Sequence, residues 1–149
     1  MKILDLTAGK RAVWFDKSNP LATFLDIRPE MDPDIVCDTK KLPAEVGSDF
    51  NLVVYDPPHL ACGPNGNFGK RYGSFSTAQI LESIEGTAPE AHRVTCKDAL
   101  MAFKWNTHDI KLERVLSLLS PYWMPLFGHH TKYGHRSHTF WVMLKRGDL

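Results

Sequence analysis

One stretch of the sequence, Phe50-Asn51-Leu52-Val53-Val54-Tyr55-Asp56-Pro57-Pro58-His59, decides how the rest of the chain is interpreted. The apolar, β-branched run at 52–55 predicts a strand buried on both faces, as in a parallel sheet. Pro57 and Pro58 should end this strand, because each fixes φ and lacks an N–H. Asp56 and the carbonyl of Pro57 are then left at the carboxyl end of the strand, where open α/β sheets bind ligands. Acceptors with few backbone donors beside them suit a substrate that brings its own N–H groups, such as an amine.

Three earlier segments also predict strands that end in a carboxylate. They cover residues 3–6, 22–27 and 34–38, and their acidic residues are Asp5, Asp26 and Asp38. A tight turn, Thr7-Ala8-Gly9, follows the first strand. Asp26 comes 17 residues after Gly9, close to the ~20-residue spacing at which nucleotide-binding α/β folds place a ribose-binding carboxylate.

The remainder of the chain alternates between helical and strand patterns. Helices are predicted over 12–17, 76–86, 87–94 and 107–119, and strands over 99–106, 123–127 and 139–144. Ser76 and Gln79 form a capping-box pattern, and Gly86 is expected to end that helix. Because only a turn-rich connector separates the last two strands, they are natural antiparallel partners. The pattern predicts a seven-stranded α/β fold in a single domain, residues 1–149.

The motif Asp56-Pro57-Pro58-His59 resembles the signature of class I S-adenosylmethionine (SAM) dependent amino-methyltransferases, which reads Asp or Asn, Pro, Pro and an aromatic residue. That family includes the DNA adenine-N6 and cytosine-N4 enzymes. Segments 103–106, 125–129 and 138–142 extend the resemblance to small stand-alone members, many of them from phages and prophages. The resemblance implies a Rossmann-like, mostly parallel sheet of order 3-2-1-4-5-7-6 with strand 7 antiparallel. It also implies short helices on both faces and no separate target-recognition domain.

The same resemblance implies the roles of individual residues, with SAM as the cofactor. Cofactor contacts fall on Asp5, Thr7, Ala8, Gly9, Asp26, Ile27, Asp38, Thr39 and Leu42. The catalytic residues are Asp56, Pro57, Pro58 and His59. Among the expected substrate contacts, the resemblance covers Lys104, Trp105, Asn106 and His129. The others follow from basic and aromatic residues in segments without carboxylates, namely Phe68, Lys70, Arg71, Tyr72, Lys132 and Arg136. The chain departs from the family at Lys10-Arg11, where a second glycine is common, and at His59, where Tyr, Phe or Trp is usual.

The distribution of charge predicts a polyanionic partner. Net charge is only +1, but residues 57–81 and 114–147 contain no Asp or Glu. The first of these segments carries a glycine- and aromatic-rich loop at 60–75, which is expected to cover the substrate. The second carries four histidines at 129, 130, 135 and 138; they lack a Cys or carboxylate partner, so a phosphate-facing loop is favoured over a zinc site. Nucleic acid is therefore the expected partner, with DNA favoured over RNA.

Cysteine usage and hydropathy indicate a reduced, cytoplasmic protein. Cys37, Cys62 and Cys96 are odd in number and lack metal-binding spacing, and no apolar run approaches ~18 residues, so neither a membrane span nor a signal peptide is expected. Two alternatives stay open beside a nucleobase methyltransferase. One is an RNA or protein-glutamine methyltransferase, and the other is a catalytically inactive SAM- or nucleic-acid-binding protein. Whether the protein is a monomer or a homodimer is also open.

Overall fold

The computed structural model describes residues 1–61, 75–133 and 137–148, with the backbone alone at 132 and 133. Within that part of the chain, seven strands form one sheet: β1 (Ile3–Asp5), β2 (Ala22–Asp26), β3 (Ile35–Val36), β4 (Phe50–Tyr55), β5 (Thr95–Asn106), β6 (Trp123–Tyr133) and β7 (Ser137–Arg146). The α-helices among the described residues are α1 (Thr77–Arg93) and α2 (Leu112–Leu119). Short 3-10 turns lie at Pro29–Met31 and Ala44–Val46.

The order of the strands is β3-β2-β1-β4-β5-β7-β6, which confirms the predicted topology. β1 lies between β2 and β4, with Leu4 aligned to Thr23 on one side and to Val53 on the other. All pairs from β3 to β5 are parallel, whereas β7 runs antiparallel to both β5 and β6. The carboxyl ends of β1, β2, β4 and β5 therefore meet at one edge of the sheet.

The core lies between one face of the sheet and the two α-helices. On β5, Met101, Phe103 and Trp105 are fully buried, while the residues between them are partly exposed. The buried apolar side chains of the helices are Ile80, Ile84, Ala88, Ala91, Val115 and Leu119. Burying each large apolar side chain contributes about 1.5–3 kcal/mol, so this face anchors the strands that carry the site.

α1 is one continuous helix, so the predicted break at Gly86 was wrong. Ser76 caps the helix through the expected capping box with Gln79. Gly86 packs against the side chain of Lys40, where a Cβ atom would come within 3.0 Å. Pro89 also lies inside the helix. The free-energy cost of a glycine and a proline inside the helix is smaller than the gain from burying the apolar face of α1 before and after them.

Two further helix predictions were corrected by the structure. Residues 12–17 form turns rather than a helix, because Trp14 turns inward to bond Asp5. The helix expected over 107–119 begins only at Leu112, since Thr107 instead bonds the backbone of His138 in β7. No helix among the described residues is long and apolar enough to cross a membrane.

The connector predicted between the last two strands is mostly strand. β6 and β7 extend well past their expected ends and pair from Trp123 opposite Arg146 to Tyr133 opposite Ser137. His129 and His130 therefore lie on β6 and His138 on β7, so the expectation of a loop around them was wrong. β3 is shorter than expected, with two residues.

Candidate active site at the carboxyl edge of the sheet

Asp56 sits at the junction between the turn after β1 and the end of β4. Its backbone N–H donates to Oγ1 of Thr7 at 3.0 Å, and Leu6 N bonds Val54 O just before it. The two prolines then stop the ladder, as their missing N–H groups require. Thr7, assigned to the cofactor from the sequence, thus holds the backbone of Asp56, the candidate catalytic residue.

The carboxylate of Asp56 pairs with Lys104 of β5. Lys104 Nζ lies 2.7 Å from Asp56 Oδ2, and both side chains are about a quarter exposed. Nζ is also 5.8 Å from the centre of the Trp141 ring, because Lys104 and Trp141 are direct partners across β5 and β7. The sequence predicted that Lys104 contacts the substrate. In the structure it forms an ion pair with Asp56, the residue predicted to hold the substrate amine.

His59 completes the turn as a neutral ring. Burial lowers its pKa, against the opposing influence of the Asp56 charge. Its Nδ1 lies 3.3 Å from the carbonyl oxygen of Pro57 and 4.0 Å from Asp56 Oδ1. The ring meets Trp105 edge-on at 6.1 Å between centroids. An uncharged, partly exposed imidazole beside a carboxylate can present a flat surface to a base.

Trp105 cannot itself touch a substrate, which corrects its sequence assignment. It is 0% exposed, and its indole N–H donates to the carbonyl of Ile110 at 3.0 Å. Its role is to support His59 from behind. Asn106 is accessible, but its side chain donates to Thr139 Oγ1 and accepts from His108 N, so it ties β7 to the loop after β5.

A cavity of about 400 Å³ opens beside His59, within the size range of small-ligand sites. Its lining residues are His59, Leu60, Ala61, Asn106, His108, Asp109 and Ser137. Asp109 Oδ2 accepts the N–H of Ala61 at 2.7 Å, which joins the loops after β4 and β5. Sequence reasoning missed the contributions of His108 and Asp109, because both were placed in the first turn of a helix.

Asp26, at the end of β2, is saturated with donors. Gly9 N donates to Oδ2 at 2.8 Å, and the Arg28 backbone N–H and guanidinium supply three further bonds of 2.9–3.1 Å. Partial burial opposes ionisation, but the bonds from Arg28 and Gly9 outweigh it and lower the Asp26 pKa. Gly9 has φ +50°, a region that favours glycine. Arg28 gave no signal in the sequence beyond standing two residues after Asp26.

Asp5, at the end of β1, is almost fully buried. Burial raises its pKa to about 6, although bonds from Trp14 and Thr7 act in the opposite direction. Trp14 Nε1 donates to Oδ2 at 2.7 Å, and Thr7 N donates to Oδ1 at 3.1 Å. The Trp14 ring also packs edge-on against Phe24 of β2. Three carboxylates, at 5, 26 and 56, thus follow three neighbouring strands.

No protein-family model and no curated protein matched the sequence, but solved structures match the fold. The N-methyltransferase NodS from Bradyrhizobium japonicum, in complex with S-adenosyl-L-homocysteine, aligns with a TM-score of 0.65 and 10% identity over 99% of this chain and 78% of NodS. A TehB-like SAM-dependent methyltransferase from Corynebacterium glutamicum aligns at 0.66 and 15%, over 98% and 80%. An rRNA methylase from Streptococcus thermophilus aligns at 0.60 and 10%, over 97% and 86%.

The chain has the methyltransferase fold. At these identities the likeness concerns the fold alone, so the residues of the site must carry any statement about chemistry. Among the predicted cofactor residues of this methyltransferase fold, Asp26, Gly9 and Asp5 meet at the carboxyl edge, and Ala8 is buried next to them with its N–H on Leu25 O.

The other predicted cofactor residues divide into two groups. Ile27 is 60% exposed and Asp38 is exposed at the end of β3, although Asp38 Oδ1 already accepts Lys40 N at 2.9 Å. Thr39 and Leu42 are buried. Thr39 Oγ1 bonds Thr87 Oγ1 of α1 at 2.7 Å, and Leu42 belongs to the hydrophobic core, so both side chains are engaged in the interior.

Several predicted substrate residues lie outside the described part of the chain. These are Phe68, Lys70, Arg71, Tyr72 and Arg136, together with the side chain of Lys132. His129 is described and exposed on β6, opposite Trp141.

A cluster of rings on the β6–β7 hairpin was not expected. His130 and Phe140 stack at 5.4 Å with an interplanar angle of 29°, and His138 lies 5.4 Å from His130. Nδ1 of His138 is buried without a hydrogen-bond partner among the described residues. The backbone of His138 exchanges bonds with Thr107, so this ring cluster is attached to the loop that lines the cavity.

Proposed function

We propose that the protein is a SAM-dependent N-methyltransferase that modifies an exocyclic amine of a nucleobase, with adenine N6 in DNA as the first candidate. The observation that carries the proposal is the position of Asp56. Its carboxylate is partly exposed and its backbone is held by Thr7, three residues before His59 of the cavity lining, at the edge of a methyltransferase fold where three neighbouring strands end in acids.

The carboxylate acceptors at this edge fit SAM. Asp26 would accept the ribose hydroxyls, Asp38 the adenine amino group, and Asp5 would lie towards the methionine end beside the Gly9 turn. Ile27 offers an exposed apolar surface to the adenine ring. The guanidinium of Arg28 now occupies the carboxylate that ribose would use, so binding requires those bonds to be exchanged. When bound, SAM supplies an electrophilic methyl group.

The residues of the chain would orient the amine and stabilise its charge. Asp56 and the carbonyl of Pro57 would accept its two N–H bonds, which biases the nitrogen towards sp3 geometry and frees its lone pair. The carboxylate would also attract the positive charge that grows on nitrogen during attack, an effect larger in the transition state than in the ground state. His59, held over Trp105, would stack on the base. Fixed orientation of this kind supplies much of the rate of a bimolecular transfer.

Nucleic acid is the partner that the surface supports best. The ring cluster of His130, His138 and Phe140 offers faces on which bases can stack, and the sequence from 114 to 147 contains no carboxylate. Stacking surfaces combined with excess positive charge are typical of proteins that bind single strands. RNA stays an alternative to DNA on these grounds. Asp56, where glutamine-directed enzymes use Asn, argues against a protein substrate.

A second function has its own support. Asp56, the carboxylate assigned to the amine, is already paired with Lys104. That arrangement also suits a protein that binds SAM or nucleic acid without turnover.

One assay separates these functions. The purified protein is incubated with methyl-labelled SAM and duplex DNA, single-stranded DNA or RNA, and the nucleosides are analysed by mass spectrometry. Label on adenine N6, absent with Asp56→Ala, is the expected result. SAM binding by calorimetry without transfer to any nucleic acid would favour the non-catalytic function. Absence of both binding and transfer would reject the methyltransferase proposal.

A further inference from the structure

The Asp56–Lys104 ion pair conflicts with the electrostatics that the proposed reaction needs. Attack on a methyl group makes the amine nitrogen positive. With Nζ 2.7 Å from Oδ2, an amine bound at Asp56 lies within a few ångströms of both a negative and a positive charge. Repulsion from Nζ then offsets part of the attraction to the carboxylate, because each falls off as the inverse of distance. The carboxylate is therefore only partly effective while Lys104 bonds it.

The side chain of Lys104 can move away from Asp56. Its side chain is about a quarter exposed, and in the described part of the chain its ion pair is with Asp56 alone. The face of Trp141 on the neighbouring strand provides a second, uncharged contact for the ammonium. An anion arriving from solvent could therefore draw Nζ away from Oδ2 without leaving a buried charge unpaired.

Resting on the proposed function, we propose that Lys104 is the specificity-determining residue that restricts the reaction to nucleotides in a phosphodiester chain. Its ammonium exchanges Asp56 for a phosphate beside the target base, and this exchange leaves the carboxylate free to hold the amine. A free base or nucleoside carries the same amine but no anion, so it leaves the ion pair in place. Lysine suits this role, because its compact charge binds phosphate without a fixed geometry.

The exchange is tested by neutralising one partner at a time. A single-stranded DNA oligonucleotide with one adenine is compared with the same oligonucleotide carrying methylphosphonate linkages on both sides of that adenine. Wild type should lose about 10–100-fold in kcat/KM on the neutral linkages, the range for a charge-assisted bond. Lys104→Met leaves Asp56 unpaired on either substrate, so its kcat/KM on the two oligonucleotides should agree within about threefold. Lys104→Arg, which keeps the cation, should retain the wild-type discrimination.

Lys2 provides the matched control. Its Nζ also lies 5.8 Å from an aromatic ring, that of Phe50, but at the opposite, amino edge of the sheet. Lys2→Met removes the same charge and should discriminate as wild type does. Circular dichroism confirms that each variant is folded.

The proposal is overturned if the methylphosphonate linkages slow wild type and Lys104→Met by the same factor, or if wild type methylates free deoxyadenosine as efficiently as the oligonucleotide. Failure of the proposed function looks different, because wild type would then transfer no methyl group to any of the three substrates. A purely structural role for Lys104 would lower both rates in Lys104→Met and Lys104→Arg alike and leave discrimination unchanged, which also contradicts the exchange.

Discussion

The N–H of Gly9 donates to Oδ2 of Asp26 at 2.8 Å and so joins the turn after β1 to the end of β2. Arg28 fills the remaining acceptor positions of the same carboxylate. Asp26 therefore holds the glycine turn in place. In the proposed function, Arg28 and the ribose of SAM compete for its carboxylate. This competition makes opposite predictions for the two members of the ion pair.

Asp26→Ala should weaken SAM binding by about 1.5–3 kcal/mol, the range for a charge-assisted hydrogen bond. Arg28→Ala should leave affinity unchanged or raise it by up to about tenfold, because the ribose no longer displaces a guanidinium. Titration calorimetry on folded variants measures both. Unchanged affinity in Asp26→Ala would remove Asp26 from the cofactor site, and weaker binding in Arg28→Ala would make Arg28 a ligand rather than a competitor.

Asp5 should make stability depend on pH. Its pKa is raised from the ordinary 3.8 to about 6, chiefly by burial, so the folded state holds the proton more tightly than the unfolded chain. Its stabilising contribution is present in full below about pH 4 and is lost as the pH rises through 6. The difference is about 3 kcal/mol by pH 7.

Asp5→Asn keeps an oxygen acceptor for Trp14 and cannot ionise. Its free energy of unfolding should therefore not fall as the pH rises through 6. Urea unfolding between pH 4 and pH 8 gives the comparison, with Asp98→Asn at an exposed site as the control for the lost charge. Parallel pH profiles for wild type and Asp5→Asn would show that Asp5 does not titrate as described.

The positions of the central strands were predictable because each is a short apolar run, which Asp or Asp-Pro-Pro ends in β1, β2 and β4. Their order came from the resemblance to the methyltransferase family, because a local pattern does not determine which strands pair. The helices were harder to predict. Gly86 and Pro89 indicate a break, yet α1 continues through both, because packing against Lys40 and the sheet depends on residues far away in sequence.

The positions of candidate site residues were predictable where one strand determines them, and not where they depend on a partner far away in sequence. Asp26 and Asp56 follow their strands as expected, but nothing near them in sequence reveals that Lys104 would pair with Asp56 48 residues away. Trp14 was hidden for the same reason, since its bond to Asp5 requires a turn in place of the helix that its neighbours favour. Trp105 shows the converse, because its place near the end of β5 suggested a substrate contact while the strand's alternation buries it.

His59 should act as a ring rather than as a base. Burial lowers its pKa, so it is neutral at pH 7 and needs no proton for stacking. His59→Tyr should therefore keep activity within about threefold, whereas His59→Ala should lose about 10–100-fold, the scale of 1–3 kcal/mol per stacked base. Steady-state methylation of one oligonucleotide by both variants decides between the roles. Equal loss in both would indicate that the imidazole nitrogens take part.

The hairpin ring cluster should contribute affinity without changing the salt dependence. Phe140→Ala removes a stacking face, so binding of single-stranded DNA should weaken by about 1–3 kcal/mol at every salt concentration. The slope of log affinity against log salt should stay as in wild type, because no phosphate contact is lost. Fluorescence anisotropy between 50 and 200 mM salt (roughly the range over which counterion release is resolved) gives both quantities. A flat slope in wild type would point to a small-molecule substrate instead.

The proposed chemistry depends most on Asp56. If Asp56 only caps β4, Asp56→Ala costs stability, and activity falls only in proportion to the folded fraction. If it holds the amine, the variant should bind SAM normally, because Asp56 is assigned to the substrate and not to the ribose or adenine of the cofactor. Its turnover should fall about 10²–10³-fold. Lys104 is partly exposed, so loss of its partner leaves its charge solvated and the fold intact.

Asp56→Asn separates charge from shape, since the amide keeps one acceptor for the N–H of the amine but cannot neutralise Lys104. It should retain part of the activity, and because the ion pair no longer exists, its discrimination between natural and methylphosphonate oligonucleotides should shrink. Calorimetry with SAM and single-turnover methylation of one adenine oligonucleotide measure the two effects separately. A well-folded Asp56→Ala that methylates this oligonucleotide at close to the wild-type rate would show that another group holds the amine.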